Sequence, residues 1–331
     1  MKLFLTALAA FLLAPPLLAQ TTTPESTTPP IAAPVIIGIT AKNYPRIDGS
    51  SSTFPLAQLL LARVLGVNAE QRRSTINPYA AGEPTLSLSF ARDTRPAQLK
   101  EFARLQRANA HNGTHESYEA LIKGAVDLIL VAREPSPDEA KLAAQKKVAF
   151  TLRPIARDAL VFLVNRQNPL RNISSEHLHA IYEGKITHWK AVGGPDEPIR
   201  PYTRDRNSGS EELMRSVFQK ERPMLDGGER MISSMAGLLD AVGRNPRALG
   251  YSIWYYETVM NPREEHVALA VDGVLPTRAT IGDGTYKLFS PVLAVTRADA
   301  PAGSPASLLR EWLPSKDGQE LVVQSGNVPL P

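Results

Sequence analysis

The chain has 331 residues, 43% of them hydrophobic and 21% charged, with a net charge of +4 and no cysteine. Such a composition belongs to a folded chain long enough for two domains, which excludes fibrous and disordered classes. The lack of thiols excludes disulfides, thiolate metal sites, thiol catalysis and a lipid-bearing cysteine anchor. The mild positive charge suits small anions, but the basic residues form no continuous stripe with interleaved aromatics, which argues against nucleic acid.

Lys2, the apolar run from Leu3 to Leu13 and the small residue Ala19 read as a secretory signal over 1–19, cut to leave Gln20 first. The segment is short for a membrane anchor, and Pro15 and Pro16 break it. Residues 20–34, rich in Thr and Pro, read as a disordered leader. A strand over 35–40 is expected to open the folded part. A short extended piece then enters IDGSSSTFP, from Ile47 to Pro55, and a helix over 55–65 carried by Leu56, Leu59, Leu60 and Val64. One cap needs one hydroxyl. Ser50, Ser51, Ser52 and Thr53 behind Gly49, with Pro55 in the first turn, are a surplus of donors. Arg72 and Arg73 read as a solvated pair.

Asn112, Gly113 and Thr114 open a second helix over 114–123, with Tyr118, Leu121 and Ile122 on one face and Gly124 as its stop. The next strand, 126–132, is apolar except for Asp127, which either orients an arginine or partners a helix N-terminus. Ser136, Pro137, Asp138 and Glu139 are a strong start for a helix over 137–147. Strands follow over 148–152 and 159–165, then a helix over 175–183. His177 and His179 lie two apart on that helix and point to different faces, so no zinc site is expected there, while Tyr182 and Trp189 pack it. After a strand over 199–202 comes YTRDRNSGSEEL, where Arg204 offers planar, permanently charged donors and Ser208, Gly209 and Ser210 open a helix over 209–219. A helix over 235–242 and a strand over 250–254 lead to Trp254, Tyr255 and Tyr256, read as aromatic core in preference to a cleft wall. Gly282, Asp283 and Gly284 form a turn before a strand over 288–295 and helices over 306–313 and 316–324. The alternation implies an α/β fold with mainly parallel pairing and ligands beyond the carboxyl ends of the strands. Three hydroxyl-rich helix starts, each with free N–H groups and a positive dipole end, are suited to converge on one anion.

These pieces, together with GTHESYEALIKGAVDLILVAREPSPDE, ARDALVFLVNRQNP, ISSEHLHAIYEGKITHWKAVGG, NPRALGY and DGQELVVQSGNVPL, resemble the periplasmic phosphate-binding proteins of ABC transporters. Their order and spacing match over nearly all of residues 46–331. The resemblance implies a two-lobed type II periplasmic binding protein fold, each lobe a mainly parallel sheet flanked by helices, the two joined by two crossing strands. Lobe 1 would comprise 35–155 and 286–331, and lobe 2 would comprise 156–285. It places phosphate contacts on Ser52, Thr53 and the backbone N–H of Phe54, on Thr114 or a near neighbour, and on Arg204, Ser208, Gly209 and Ser210. It further implies an untethered periplasmic monomer that delivers inorganic phosphate, or a related tetrahedral oxyanion, to an inner-membrane permease without cofactor, metal or chemistry.

One position departs from that pattern. Many high-affinity members carry an aspartate where this chain has Arg133, which donates but cannot accept, so Arg133 is expected to contact the anion and to relax selectivity against sulfate. Glu134 and Asp158 are the candidate replacement acceptors. A secreted phosphatase-like hydrolase is the rival reading, although no G-x-S-x-G elbow, H-E-x-x-H motif or acid-rich cluster is present. Extracellular adhesion or signalling on the same fold is a third.

Overall fold

The computed structural model describes residues 36, 38–74, 85–225 and 228–331. Its spine is one long strand, Phe150–Asn165, whose side chains change from largely exposed to continuously buried along its length. The first half pairs antiparallel with Phe289–Arg297. The second half pairs antiparallel with Ala248–Ile253 and with His266–Ala268. Outward on one side lie Leu128–Val131, antiparallel to Phe289–Arg297, and then Ile47–Gly49, parallel to Leu128–Val131. On the other side Arg200–Pro201 runs parallel to Ala248–Ile253.

The sheet is therefore mixed, which corrects the expectation of mainly parallel pairing. Parallel pairs stand only at its two outer positions, because Phe150–Asn165 and Phe289–Arg297, at the centre, run against all of their neighbours. The expected strands over 148–152 and 159–165 are one element. The charged and proline-containing piece between them looked like a break, but the ladder tolerates it: partners step from Ala156 opposite Val292 to Pro154 opposite Leu293, a bulge that passes over Ile155. Proline lacks an N–H, and a bulge is where a ladder can accept it.

Residues 35–40 are not a strand where they are described. Ile36 and Ile39 are both buried, Ile39 N donates to Ile36 O at 3.2 Å, and Gly38 has φ of 85°, so the apolar pair anchors a turn. The Asn43 side chain holds that turn by accepting from Thr40 N at 2.7 Å and donating to Gly38 O at 2.8 Å. The reading also missed the hairpin Ala69–Ser74 with Thr85–Phe90 and the helix Pro96–Ala108. Arg72 is exposed, as a solvated residue should be.

Most expected helices form within a few residues of the anticipated ends. Phe54–Val64 follows a short 3-10 turn at Ser51–Thr53, and Thr114–Ile122, Pro137–Gln145, Ser175–Tyr182, Met235–Arg244, Pro305–Trp312 and Lys316–Gln324 complete the set. The helix expected over 209–219 is α-helical only at Gly209–Leu213 and continues as a π-helix at Met214–Gln219.

Leu128–Val131 is apolar at every position because both of its faces are covered. Leu128 and Leu130 join a core with Ile47, Leu56, Leu60 and Leu309, whereas Ile129 and Val131 join a smaller one with Tyr118 and Leu121. A separate core surrounds the second half of the long strand, where Phe162 packs with Tyr182, Trp189, Leu239 and Tyr251. Each fully buried aliphatic or aromatic side chain contributes roughly 1.5–3 kcal/mol, so these clusters hold the helix starts in place.

Candidate functional site

The first hydroxyl-rich segment leaves its strand at Gly49 and turns at once. A Cβ there would lie 2.6 Å from Leu130 O, so only glycine fits. Asp48, fully buried, accepts from Gly49 N at 2.7 Å and Asn112 N at 3.1 Å through Oδ1, and from Asn112 Nδ2 at 2.9 Å through Oδ2. Gly113 N adds a bond to Gly49 O at 3.3 Å. Sequence reasoning did not single out Asp48, yet it clasps the second segment to the first. Burial pushes the nearby His111 imidazole down to about 4, so this ring is neutral at pH 7.

Two of the expected contact groups have partners within the chain. Thr53 Oγ1 shares its proton between Leu130 O at 2.7 Å and Ser50 O at 2.9 Å, and Phe54 N donates to Ser51 O. The Phe54 ring meets His111 edge-on at 4.4 Å. Neither Thr53 nor Phe54 lines the cavity described next; Ser50, Ser51 and Ser52 do. The 3-10 turn engages the hydroxyl and the N–H that the sequence suggested were free.

The third segment is positioned by a short strand, Thr203–Arg204, parallel to Met231–Ile232. Arg204 N donates to Tyr251 Oη at 2.9 Å, and that hydroxyl in turn bonds the Glu211 carboxylate. Ser208 caps the following helix by accepting from Glu211 N at 3.3 Å. Gly209, its first residue, sits directly against Thr114, the first residue of the helix Thr114–Ile122.

The segments enclose a cavity of about 520 Å³, lined by Ser52, Thr114, Arg133, Arg204, Ser208, Gly209 and Ser210 among the expected residues. Arg204 is 7% exposed, and its Nε and Nη1 have no hydrogen-bond partner among the described residues. Burial holds its guanidinium below the usual arginine range, since Glu211 and Asp205 act on it only through space. Ser210 Oγ is likewise buried and unpartnered among the described residues. Isolated buried donors destabilise a protein by roughly 1–3 kcal/mol each, more when charged, so their concentration in one cavity marks a place prepared for an acceptor.

Arg133 also lines the cavity, but most of its fork is engaged. Nη1 and Nη2 donate to Glu139 Oε2 at 2.8 Å and Oε1 at 2.7 Å, and Nη1 reaches Glu134 O at 2.9 Å. Only Nε lacks a partner among the described residues. The candidate acceptors Glu134 and Asp158 do not line the cavity. Asp158 is buried beneath the chain, accepting from Ala159 N at 2.8 Å and Tyr255 N at 3.0 Å, and burial pushes its carboxyl up to about 7.

The place of a fourth, expected helix start at the cavity was missed. Ser233 and Ser234, at the head of Met235–Arg244, line the same cavity, with Ser234 capping Gly237 N at 3.0 Å. The signal was present as two serines before an apolar period, the same pattern read elsewhere. Tyr256 lines the cavity, whereas Trp254 and Tyr255 are buried and Tyr255 Oη donates to Ser325 O at 2.6 Å. Asp127 orients Arg46, at 2.7 Å to Nη2, away from the cavity. Among the described residues no group of three or more His, Cys, Asp or Glu could hold a metal ion. His179 stacks on Phe218 at 3.9 Å instead.

The pattern of the PBP superfamily domain matches residues 85–313. The chain belongs to the PBP superfamily. Among its relatives, the phosphate-binding protein PstS of Borreliella burgdorferi is 25% identical over 74% of this chain and 89% of its own length. PstS of Bacillus subtilis is 25% identical over 83% and 91%. The α/β fold is shared with a putative phosphate ABC transporter substrate-binding protein from Clostridium perfringens, solved with bound phosphate. That likeness has a TM-score of 0.60 at 21% identity, covering 86% of this PBP chain and 98% of the other. An ABC-type phosphate transport receptor from Vibrio cholerae matches with a TM-score of 0.58 at 22% identity, covering 86% and 99%.

Proposed function

We propose that this PBP-superfamily chain is an exported solute-binding protein that captures inorganic phosphate, or a related tetrahedral oxyanion, and hands it to an ABC transporter permease without performing chemistry. The observation that carries the reading is Arg204: a buried guanidinium with two nitrogens unpartnered among the described residues, in a cavity ringed by hydroxyl-rich helix starts. A dehydrated dianion satisfies those donors, and the N-terminal dipoles of the helices at Thr114 and Met235 add attraction. The curated relatives named for phosphate binding support the same ligand class.

In this reading the chain has two lobes, 35–155 with 286–331 and 156–285; the strand Phe150–Asn165 crosses from one to the other, and the chain crosses back just before the strand Phe289–Arg297. Thr114 would belong to one lobe and Gly209 to the other, so anion contacts from both would favour a closed form that the permease recognises. The protein would act as a monomer, free of a lipid tether. Export would proceed through residues 1–19, with Gln20 as the mature start. No helix among the described residues is long and apolar enough to cross a membrane. Isothermal titration of phosphate into the purified protein tests the proposal: saturable binding at one site per chain is expected, and the absence of heat across the millimolar range overturns it.

A further inference from the structure

Glu139 lies outside the cavity yet controls what one of its lining residues offers. Its carboxylate is fully buried and takes both terminal nitrogens of Arg133, while also accepting from Ser136 N at 2.8 Å. The guanidinium is thereby charge-compensated and fixed, with Tyr118 5.8 Å below it and the Tyr118 hydroxyl bonded to Arg133 O at 3.0 Å. Among the described residues, Nε is the one Arg133 guanidinium nitrogen without a partner. Among the described residues, Arg204 is then the cavity's one buried arginine without a carboxylate bonded to its guanidinium. The carboxylates of the lining, Glu116 and Asp205, are exposed, and the buried polar lining consists of arginine donors and hydroxyls.

Hydroxyls accept as readily as they donate, so they do not repel an unprotonated oxygen as a carboxylate does. Resting on the oxyanion reading above, we propose that Glu139 is a positioning residue that sets anion selectivity through Arg133, and that the cavity takes tetrahedral dianions, hydrogen phosphate and sulfate alike, in preference to the dihydrogen phosphate monoanion. Removing the Glu139 charge would free a second full cation at the cavity and tighten dianion binding rather than weaken it.

Other titratable groups surround this pair. His115 Nδ1 is 3.0 Å from Glu139 Oε1 and His115 Nε2 is 3.7 Å from Glu119, both on the helix Thr114–Ile122, and Glu134 and Glu212 also lie in the field of the cluster. Acidification can therefore change the protein as well as the ligand. Sulfate, which stays doubly charged between pH 5.5 and 8, reports the protein's share, and the phosphate-to-sulfate ratio isolates the ligand's.

Calorimetric titrations of the parent protein with sulfate and with phosphate, at pH 8 and pH 5.5 and fixed ionic strength, make the first test. Sulfate is expected to bind within about tenfold of phosphate at pH 8, and phosphate to weaken at least about tenfold relative to sulfate at pH 5.5. A ratio that stays constant with pH, or rejection of sulfate by about a thousandfold, overturns the inference while leaving phosphate capture intact. Binding of neither anion overturns the oxyanion reading itself. Glu139→Gln, checked for folding by circular dichroism, supplies the second test. Sulfate affinity is expected to rise by about tenfold with a steeper salt dependence, whereas a folded variant that binds sulfate no better than the parent removes Glu139 from the selectivity role. If that variant does not fold, the parent titrations alone decide.

Discussion

Gly209 approaches Thr114 so closely that a Cβ on Gly209 would lie 2.8 Å from the Thr114 hydroxyl oxygen. Two helices that begin 95 positions apart in the chain thus meet at their first residues. Glycine is needed there for space rather than for its dihedral freedom.

Gly209→Ala should therefore force the two helix starts apart and destabilise the protein by roughly 1–3 kcal/mol, as overpacking does in a tight contact. Thr114→Ala removes the opposing oxygen, so the double variant should recover most of that loss. A double-mutant cycle by chemical denaturation checks it; strictly additive losses would show that the two residues do not press on each other.

Arg204→Met is expected to separate stability from binding. Removing a buried guanidinium with unpartnered nitrogens relieves a desolvation penalty, so the ligand-free variant should melt at or above the parent's temperature. It should also lose the phosphate-induced rise in melting temperature that linkage gives the parent. A ligand-free variant that melts several degrees lower would mean that Arg204 is structural.

Asp158 carries a pH signature whose sign follows from burial. Its carboxyl titrates at about 7 in the folded chain, against about 4 when unfolded. Between those values the native state holds the extra proton, so the Asp158 contribution to stability is full below about pH 4 and is lost as pH rises through about 7. Asp158→Asn, which keeps an oxygen for Ala159 N and Tyr255 N, should stabilise the protein at pH 8 and do progressively less toward pH 5. Denaturation midpoints of parent and variant at both pH values measure the difference; a benefit that grows on acidification would contradict the assignment.

Ser234→Ala probes a helix start whose serines the sequence reading did not place at the cavity. Loss of the cap to Gly237 N should destabilise the helix Met235–Arg244 by about 1 kcal/mol. Phosphate affinity should fall less than for Arg204→Met, because the Ser234 hydroxyl is already engaged by its own helix. Thermal melts and titrations of both variants rank them.

Much of this arrangement was legible in the sequence because it depends on local chemistry. Ser-Gly-Ser before Glu211 announced a capped helix, and apolar periodicity placed Leu56, Tyr118 and Leu121 in cores. What failed was non-local or competitive. Thr53 looked like a free donor, but a carbonyl 77 residues away takes its hydroxyl. The pairing of Arg133 with Glu139 was hidden because Glu139 was accounted for as an acid of a helix start, and one carboxylate serves both the capping box and the ion pair. Strand direction was misjudged because alternation of helix and strand is compatible with mixed sheets, and only the return of Phe289–Arg297 alongside Phe150–Asn165 fixes the antiparallel centre.

The most direct test of the oxyanion site is a crystal structure of the protein grown with arsenate, whose anomalous signal marks the tetrahedral anion independently of water. A single strong peak is predicted inside the cavity, within hydrogen-bond distance of Arg204 Nε or Nη1, Thr114 Oγ1 and Ser210 Oγ. Arsenate bound at full occupancy elsewhere, with this cavity holding only water, would contradict the account.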